Sequence, residues 1–241
     1  MKRILVYTLF FLLAQPLYAT SIIVLITPGY IVMGADSKRM IIDAESNVTT
    51  NQTVCKIRRA NNYCYALAGL VASPATAYSA DSIVQHQLKT AATHTQAIAG
   101  IKKSIQKALY KELTYQKKNQ PLSYQKMLQS KEHLLEVVIL SVKNNVPHVQ
   151  IVGFELRGDQ SIQVKAYTAS CPGDCPTGQV QLYFLGEYSE IENNLSRQPQ
   201  GQDPVSLVER LITIQSQATP SSVGTPVNIV KYTTEGVEWI K

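Results

Sequence analysis

The chain has 241 residues, 45% hydrophobic and 17% charged, a balance that excludes a disordered or fibrous protein. Its formal charge is +6, of which Lys2 and Arg3 supply two, and the other basic residues are dispersed, gathering at most into short pairs such as Arg58-Arg59, Lys102-Lys103 and Lys117-Lys118. That dispersion excludes a nucleic-acid partner, and with no repeat, low-complexity tract or linker the length suits one large domain.

Lys2 and Arg3 precede an apolar run from Ile4 to Ala14, which Pro16 ends just before Leu17-Tyr18-Ala19. This is the layout of a secretory signal peptide cleaved after Ala19, and the run is too short for a membrane-spanning helix, which takes about 20 apolar residues. The expected organisation is a signal peptide over 1–19 and a single domain over 20–241. The mature protein is then secreted or periplasmic, without a stable membrane anchor, and Thr20 becomes its N-terminus.

From Thr20 onward, "TSIIVLITPGYIVMGADSKRM" is two β-branched runs around Pro28-Gly29, a hairpin. Both faces of its first strand are apolar, so the sheet is expected to be covered on both sides. A second hairpin, "TVCKIRRANNYCYALAGL", turns at Asn61-Asn62. Two helices follow, over 73–90 and 93–118, the second with Ile98, Ile101, Ile105, Leu109 and Leu113 on one stripe. The polar segment 119–131 is expected to be a loop. Strands are expected over 134–144, 148–157, 161–169 and 179–186, then a helix over 203–218 opened by Asp203 and Pro204, and a last hairpin around Glu235-Gly236.

An exported chain meets an oxidising compartment, so the four cysteines are disulfide candidates. Cys55 and Cys64 flank the second turn, and Cys171 and Cys175 bracket "CPGDC". Three pairings are open, of which the two local ones close short loops. No histidine lies near either pair, so no metal site is expected.

Hairpin register sets which residues face one another. With a turn at Pro28-Gly29, facing residues sum to 57, which sets Ser21 opposite Asp36. With a turn at Asn61-Asn62 they sum to 123, which sets Lys56 opposite Leu67 and Val54 opposite Gly69. An N-terminal threonine offers a hydroxyl nucleophile and, in its own α-amine, a base of pKa about 7.7–8.0. A nearby lysine keeps that amine's pKa low, an aspartate fixes the lysine, and a glycine N–H can stabilise an oxyanion.

Thr20, "GADS" (34–37), "CKI" (55–57) and "ALAGL" (66–70) together resemble the amino-terminal half of proteasome β-type subunits, which are N-terminal nucleophile (Ntn) hydrolases. The segment 223–240 is similar to that family's terminal strands. The resemblance implies an α+β fold, a four-layered αββα sandwich with two antiparallel sheets between helix layers. It implies a threonine-type endopeptidase that needs no cofactor, acts on peptides or unfolded protein, and assembles as a homo-oligomer. In that frame Thr20 is nucleophile and base, Asp36 and Lys56 the tuning pair, Gly69 the oxyanion donor, and Leu67 and Met40 the lining of an apolar specificity pocket.

Two departures stand out. The family's later serine and aspartate, which orient the amine, correspond to "LGEYS" (185–189) and "ATPSSVG" (218–224), where this chain offers Glu187, Ser189, Ser221 and Ser222 but no aspartate. Ser189, Ser221 and Ser222 are the candidates for that task. Ala19 stands where the family has glycine for self-cleavage, a job signal peptidase can do. The alternatives are an inactive binding or structural protein of the same shape, or a small-molecule amidase or acylase.

Overall fold

The structure is a computed structural model that describes residues 20–42, 48–130, 133–144, 146–157, 162–175, 179–196 and 201–241. The expected signal peptide, 1–19, lies outside the described residues.

β1 (Ser21–Ile26) and β2 (Ile31–Ala35) form the first hairpin, with Ile22 facing Ala35 and Ile26 facing Ile31 as the Pro28-Gly29 turn predicts. All six residues of β1 are buried. Alternation sends Ile22, Val24 and Ile26 to one face and Ile23 and Leu25 to the other, and the two sets belong to different cores. β1 and β2 are joined by β12 (Gln181–Gly186), β13 (Asn228–Thr233) and β14 (Gly236–Trp239) in the order β12-β1-β2-β13-β14. The second sheet runs β11-β10-β9-β6-β5, from β5 (Arg58–Ala60), β6 (Tyr63–Gly69), β9 (Leu135–Lys143), β10 (Val146–Arg157) and β11 (Gln163–Cys171). Every strand pair in both sheets is antiparallel.

Between the sheets lies an apolar layer that includes Ile22, Val24, Met33, Ala66, Val138 and Leu140. On the outer face of the second sheet lie α1 (Ala80–Thr90) and α2 (His94–Asn119), whose Ile101, Ile105, Leu109 and Leu113 are fully buried. Each such side chain contributes about 1.5–3 kcal/mol of burial. On the outer face of the first sheet, α4 (Ser189–Leu195) and α5 (Pro204–Ala218) bury Ile191, Val208, Leu211 and Ile212. Gly34 lets α5 approach β2 closely: a Cβ there would lie 2.3 Å from Val208 Cγ1. The result is the four-layered αββα sandwich, with no barrel.

Four local expectations change. The first helix starts at Ala80 rather than at 73, because Ser79 accepts from Ser82 N as its N-cap, while 72–79 holds the short strands β7 (Ala72–Ser73) and β8 (Tyr78–Ser79) around a 3₁₀ turn. The expected loop over 119–131 contains α3 (Pro121–Ser130), which packs Tyr124 and Met127 on Leu113 and Leu134. β3 (Lys38–Ile42) and β4 (Val48–Thr53) form a separate two-stranded ladder beyond the first hairpin. Of the two local disulfides, Cys171–Cys175 forms, whereas Cys55 and Cys64 are unbonded. Cys64 points into the layer between the sheets and Cys55 lies exposed ahead of β5.

Candidate active site

Thr20 is the residue before β1, and its backbone is held on the outer-strand side by β12: Glu187 N donates to Thr20 O at 2.8 Å. On the other side Asp36 follows β2, and Asp36 N donates to Ser21 O at 3.1 Å, one step beyond the ladder. Asp36 is completely buried. Its Oδ1 accepts from Ser21 N at 2.8 Å and from Lys56 Nζ at 2.8 Å, and its Oδ2 from Lys38 N at 3.0 Å and Gly224 N at 3.2 Å. Lys56 Nζ also donates to Thr20 Oγ1 at 2.9 Å. Thr20, Lys56 and Asp36 thus form one hydrogen-bonded row, with Thr20 only 6% exposed.

Lys56 arrives by a route the hairpin arithmetic does not give. The register of the second hairpin is the expected one, Arg58 facing Tyr65, but the ladder ends there, so Lys56 is not paired with Leu67. Val54 N donates instead to Ser37 O at 2.7 Å, which ties the stretch before β5 to the turn after β2 and delivers the lysine to Asp36 in the other sheet.

Burial pushes the Lys56 ammonium below the usual lysine range, with Asp36 opposing that shift and Arg39 adding to it. Burial likewise pushes the Asp36 carboxyl up, against Lys56 and the N–H groups of Ser21 and Gly224. Four donors converge on this carboxyl, which is the coordination of an anion rather than of an acid with a proton to donate. We therefore assign an Asp36 carboxylate paired with a Lys56 ammonium that burial makes easier to deprotonate.

Gly69 ends β6 at φ +103°, and a Cβ there would lie 2.4 Å from Leu134 O, so the position takes no side chain. Its neighbour Ala68 faces the Thr20 segment: a Cβ built on Gly186 would meet Ala68 Cβ at 3.1 Å and Thr20 O at 2.1 Å. Leu67, 7% exposed, points to the opposite face, toward the α1–α2 layer. Met40 sits on β3 opposite Asn51, and the lining expected of its side chain lies outside the described residues.

Of the amine-orienting candidates, Ser189 Oγ donates to Glu187 Oε1 at 2.8 Å, Ser222 is buried with its Oγ donating to Thr219 O at 3.3 Å, and Ser221 is exposed. The loop that carries Ser221 and Ser222 is nevertheless bound to the site. Gly224 N reaches Asp36, Ser37 N donates to Gly224 O at 3.2 Å, and Lys38 Nζ donates to Pro220 O. The sequence reading missed Gly224, Lys38 and the backbone of Glu187. The glycine in "SSVGTP" and the one in "FLGEY" are the signals that mark two of them. A concavity of 460 Å³ lined by His94, Lys102, Gln150 and Thr168 among others contains none of these residues.

Comparison with solved structures decides the architecture. Anbu, described as an ancestral beta-subunit, from Yersinia bercovieri superposes with a TM-score of 0.53 at 12% identity, covering 92% of this chain and 87% of that one. A mutant of Anbu from Hyphomicrobium sp. strain MC1 gives 0.53 at 13% identity, and another Anbu structure from the same strain 0.51 at 12%, each covering 92% of this chain and 85% of that one. The fold is proteasome-like, that of the Ntn hydrolases. Identities this low carry the Ntn architecture and not the reaction. No protein-family model matches the chain, and neither does any curated protein.

Proposed function

We propose that this protein is an exported threonine-type Ntn hydrolase that cleaves peptide bonds through an acyl-enzyme on Thr20. The observation that carries the reading is Lys56 Nζ, 2.9 Å from Thr20 Oγ1 and 2.8 Å from Asp36 Oδ1. A buried ammonium held between a hydroxyl and a carboxylate lowers the cost of the alkoxide.

In the uncleaved chain Thr20 N is an amide with no basicity. Signal-peptide removal after Ala19 converts it to an amine, which takes the Oγ1 proton as the oxygen attacks the substrate carbonyl carbon. The Gly69 N–H stabilises the oxyanion, and the amine returns the proton to the leaving nitrogen as the C–N bond breaks. Water, deprotonated by the same amine, then opens the Thr20 ester and restores the hydroxyl. Leu67 faces the α1–α2 layer, so of the two residues expected to line an apolar specificity pocket only Met40 is kept for that task, and Ser189, Ser221 and Ser222 are the candidates whose hydroxyls orient the amine.

The Cys171–Cys175 bond is consistent with an oxidising compartment, and no helix among the described residues is long and apolar enough to cross a membrane. Outside the cytoplasm no ATP-driven unfolding partner operates, so the substrates are short peptides or unfolded chains, taken by a homo-oligomer of one domain per chain, residues 20–241. An inactive binding protein of the same shape has one observation in its favour, the absence of an aspartate in 218–224. Mass determination of the exported protein tests the reading. It must begin at Thr20 and hydrolyse peptide substrates, and Thr20→Ala must stay folded without turnover; a mature chain beginning elsewhere overturns it.

A further inference from the structure

"LLEVVIL" puts one carboxylate into an otherwise apolar strand. Glu136 lies on β9 with the parity of Val138 and Leu140, so it faces the layer between the sheets, and it is 7% exposed. Burying a carboxylate in such a layer is costly unless donors meet it. Two do, at full hydrogen-bond quality: Tyr167 Oη donates to Oε1 at 2.9 Å, and Gly186 N donates to Oε2 at 3.0 Å. Burial and the adjacent Glu136 push the Tyr167 hydroxyl above its usual range, so it stays a donor. His133 Nε2 stands further off, 3.9 Å from Oε1.

The second of these donors comes from the other sheet. β12 is an edge strand, and in its pairing with β1 Gly186 faces Ser21 while Glu187 N donates to Thr20 O. Alternation along an antiparallel ladder turns the Gly186 N–H away from β1. That amide spans the gap to Glu136, and the next amide holds the carbonyl of Thr20. Gly186, at φ +76°, leaves room for nothing else: a Cβ would lie 2.1 Å from Thr20 O.

We infer that Glu136 is a positioning residue for the nucleophile, a buried clasp that fixes Gly186 across the two sheets so that the Glu187 N–H holds Thr20 in place. The proposal rests on Thr20 being the nucleophile. Misplacing a nucleophile by about 1 Å costs on the order of 100-fold in rate, so the clasp acts on kcat rather than on substrate binding.

Two variants and one exchange measurement test it. Glu136→Leu keeps the bulk and removes both acceptors; kcat is expected to fall roughly 10- to 100-fold with KM little changed. Glu136→Gln still offers a carbonyl to the Gly186 N–H and an NH2 to the Tyr167 oxygen, and should recover most of that loss. Independently of turnover, the wild-type Gly186 amide should exchange slowly with solvent for an edge-strand position, while Glu136→Leu accelerates exchange at Gly186 and Glu187. Unchanged kcat in Glu136→Leu overturns the proposal, as does a Glu136→Gln enzyme as impaired as Glu136→Leu. If Glu136→Leu does not fold, a fast-exchanging Gly186 amide in the wild type overturns it alone. A wild-type protein that turns nothing over refutes the Thr20 reading instead, and the Gly186 exchange rate still decides whether the clasp exists.

Discussion

Removing either member of the Asp36–Lys56 pair should stop the chemistry, but the two losses should differ sharply in stability. Asp36→Ala strands the N–H groups of Ser21, Lys38 and Gly224 and leaves a buried ammonium without its counter-ion. An unsatisfied buried N–H costs about 1–3 kcal/mol, and breaking a buried ion pair about 3–5 kcal/mol. Relaxation and water entry overlap these terms, so a loss of about 3–5 kcal/mol is expected, a large part of the about 5–15 kcal/mol that holds a domain. Lys56→Met removes one donor of the four on Asp36, keeps three backbone donors there and refills the space with an unbranched side chain, for about 1–2 kcal/mol. Urea unfolding of both variants measures the difference. The pH dependence of stability gives a second readout. Without Asp36, burial holds the folded-state Lys56 well below its unfolded value, so the unfolded chain binds more protons and the stability of Asp36→Ala rises with pH. Equal losses in the two variants, or an Asp36→Ala protein whose stability falls as pH rises through the alkaline range, would refute the coordination drawn for Asp36.

Other consequences follow from single positions. Gly69→Ala forces a Cβ against Leu134 O at positive φ, so it should lower the melting temperature and turnover together, by more than about 1 kcal/mol in stability. Burial lowers the His94 and His148 imidazoles below their ordinary 6.5, with His148 and Lys143 adding to the shift of His94 and Lys143 to that of His148, and their rings meet edge to face at 5.6 Å. The unfolded chain therefore takes up more protons: stability is full above about pH 6.5 and declines below it, a slope that His94→Phe with His148→Phe should flatten in melting curves. Among the two free thiols, Cys55 is exposed, whereas burial pushes Cys64 up to about 11; iodoacetamide should modify Cys55 in the native protein and reach Cys64 only after unfolding.

What the sequence made legible follows from how local each signal is. The first hairpin is two apolar runs about a proline–glycine turn, so its register, and with it the place of Asp36 beside Ser21, can be counted off. Helix α2 announces itself by the Ile98 to Leu113 stripe. Lys56 was legible as a site residue but not as to how it gets there: β5 is three residues long, and the bond from Val54 to Ser37 that redirects the chain joins segments no periodicity links. α3 escaped because, among the residues whose burial is described, only Tyr124 and Met127 are buried on it, between many polar residues. The Cys55–Cys64 pairing failed on orientation, since strand alternation turns Cys64 into the inter-sheet layer. Glu136 was visible as a lone acid in an apolar strand, but the Gly186 N–H that it holds lies 50 residues on, in the other sheet.

If Thr20 is a processed nucleophile, a β-lactone must label the exported protein covalently, which intact mass and peptide mapping read out. The predicted result is one adduct per chain, on Thr20, in a protein that begins at Thr20, lost in Thr20→Ala and suppressed in Lys56→Met. A correctly processed protein that takes no label, or takes it on another residue, would mean that Thr20 is not the nucleophile.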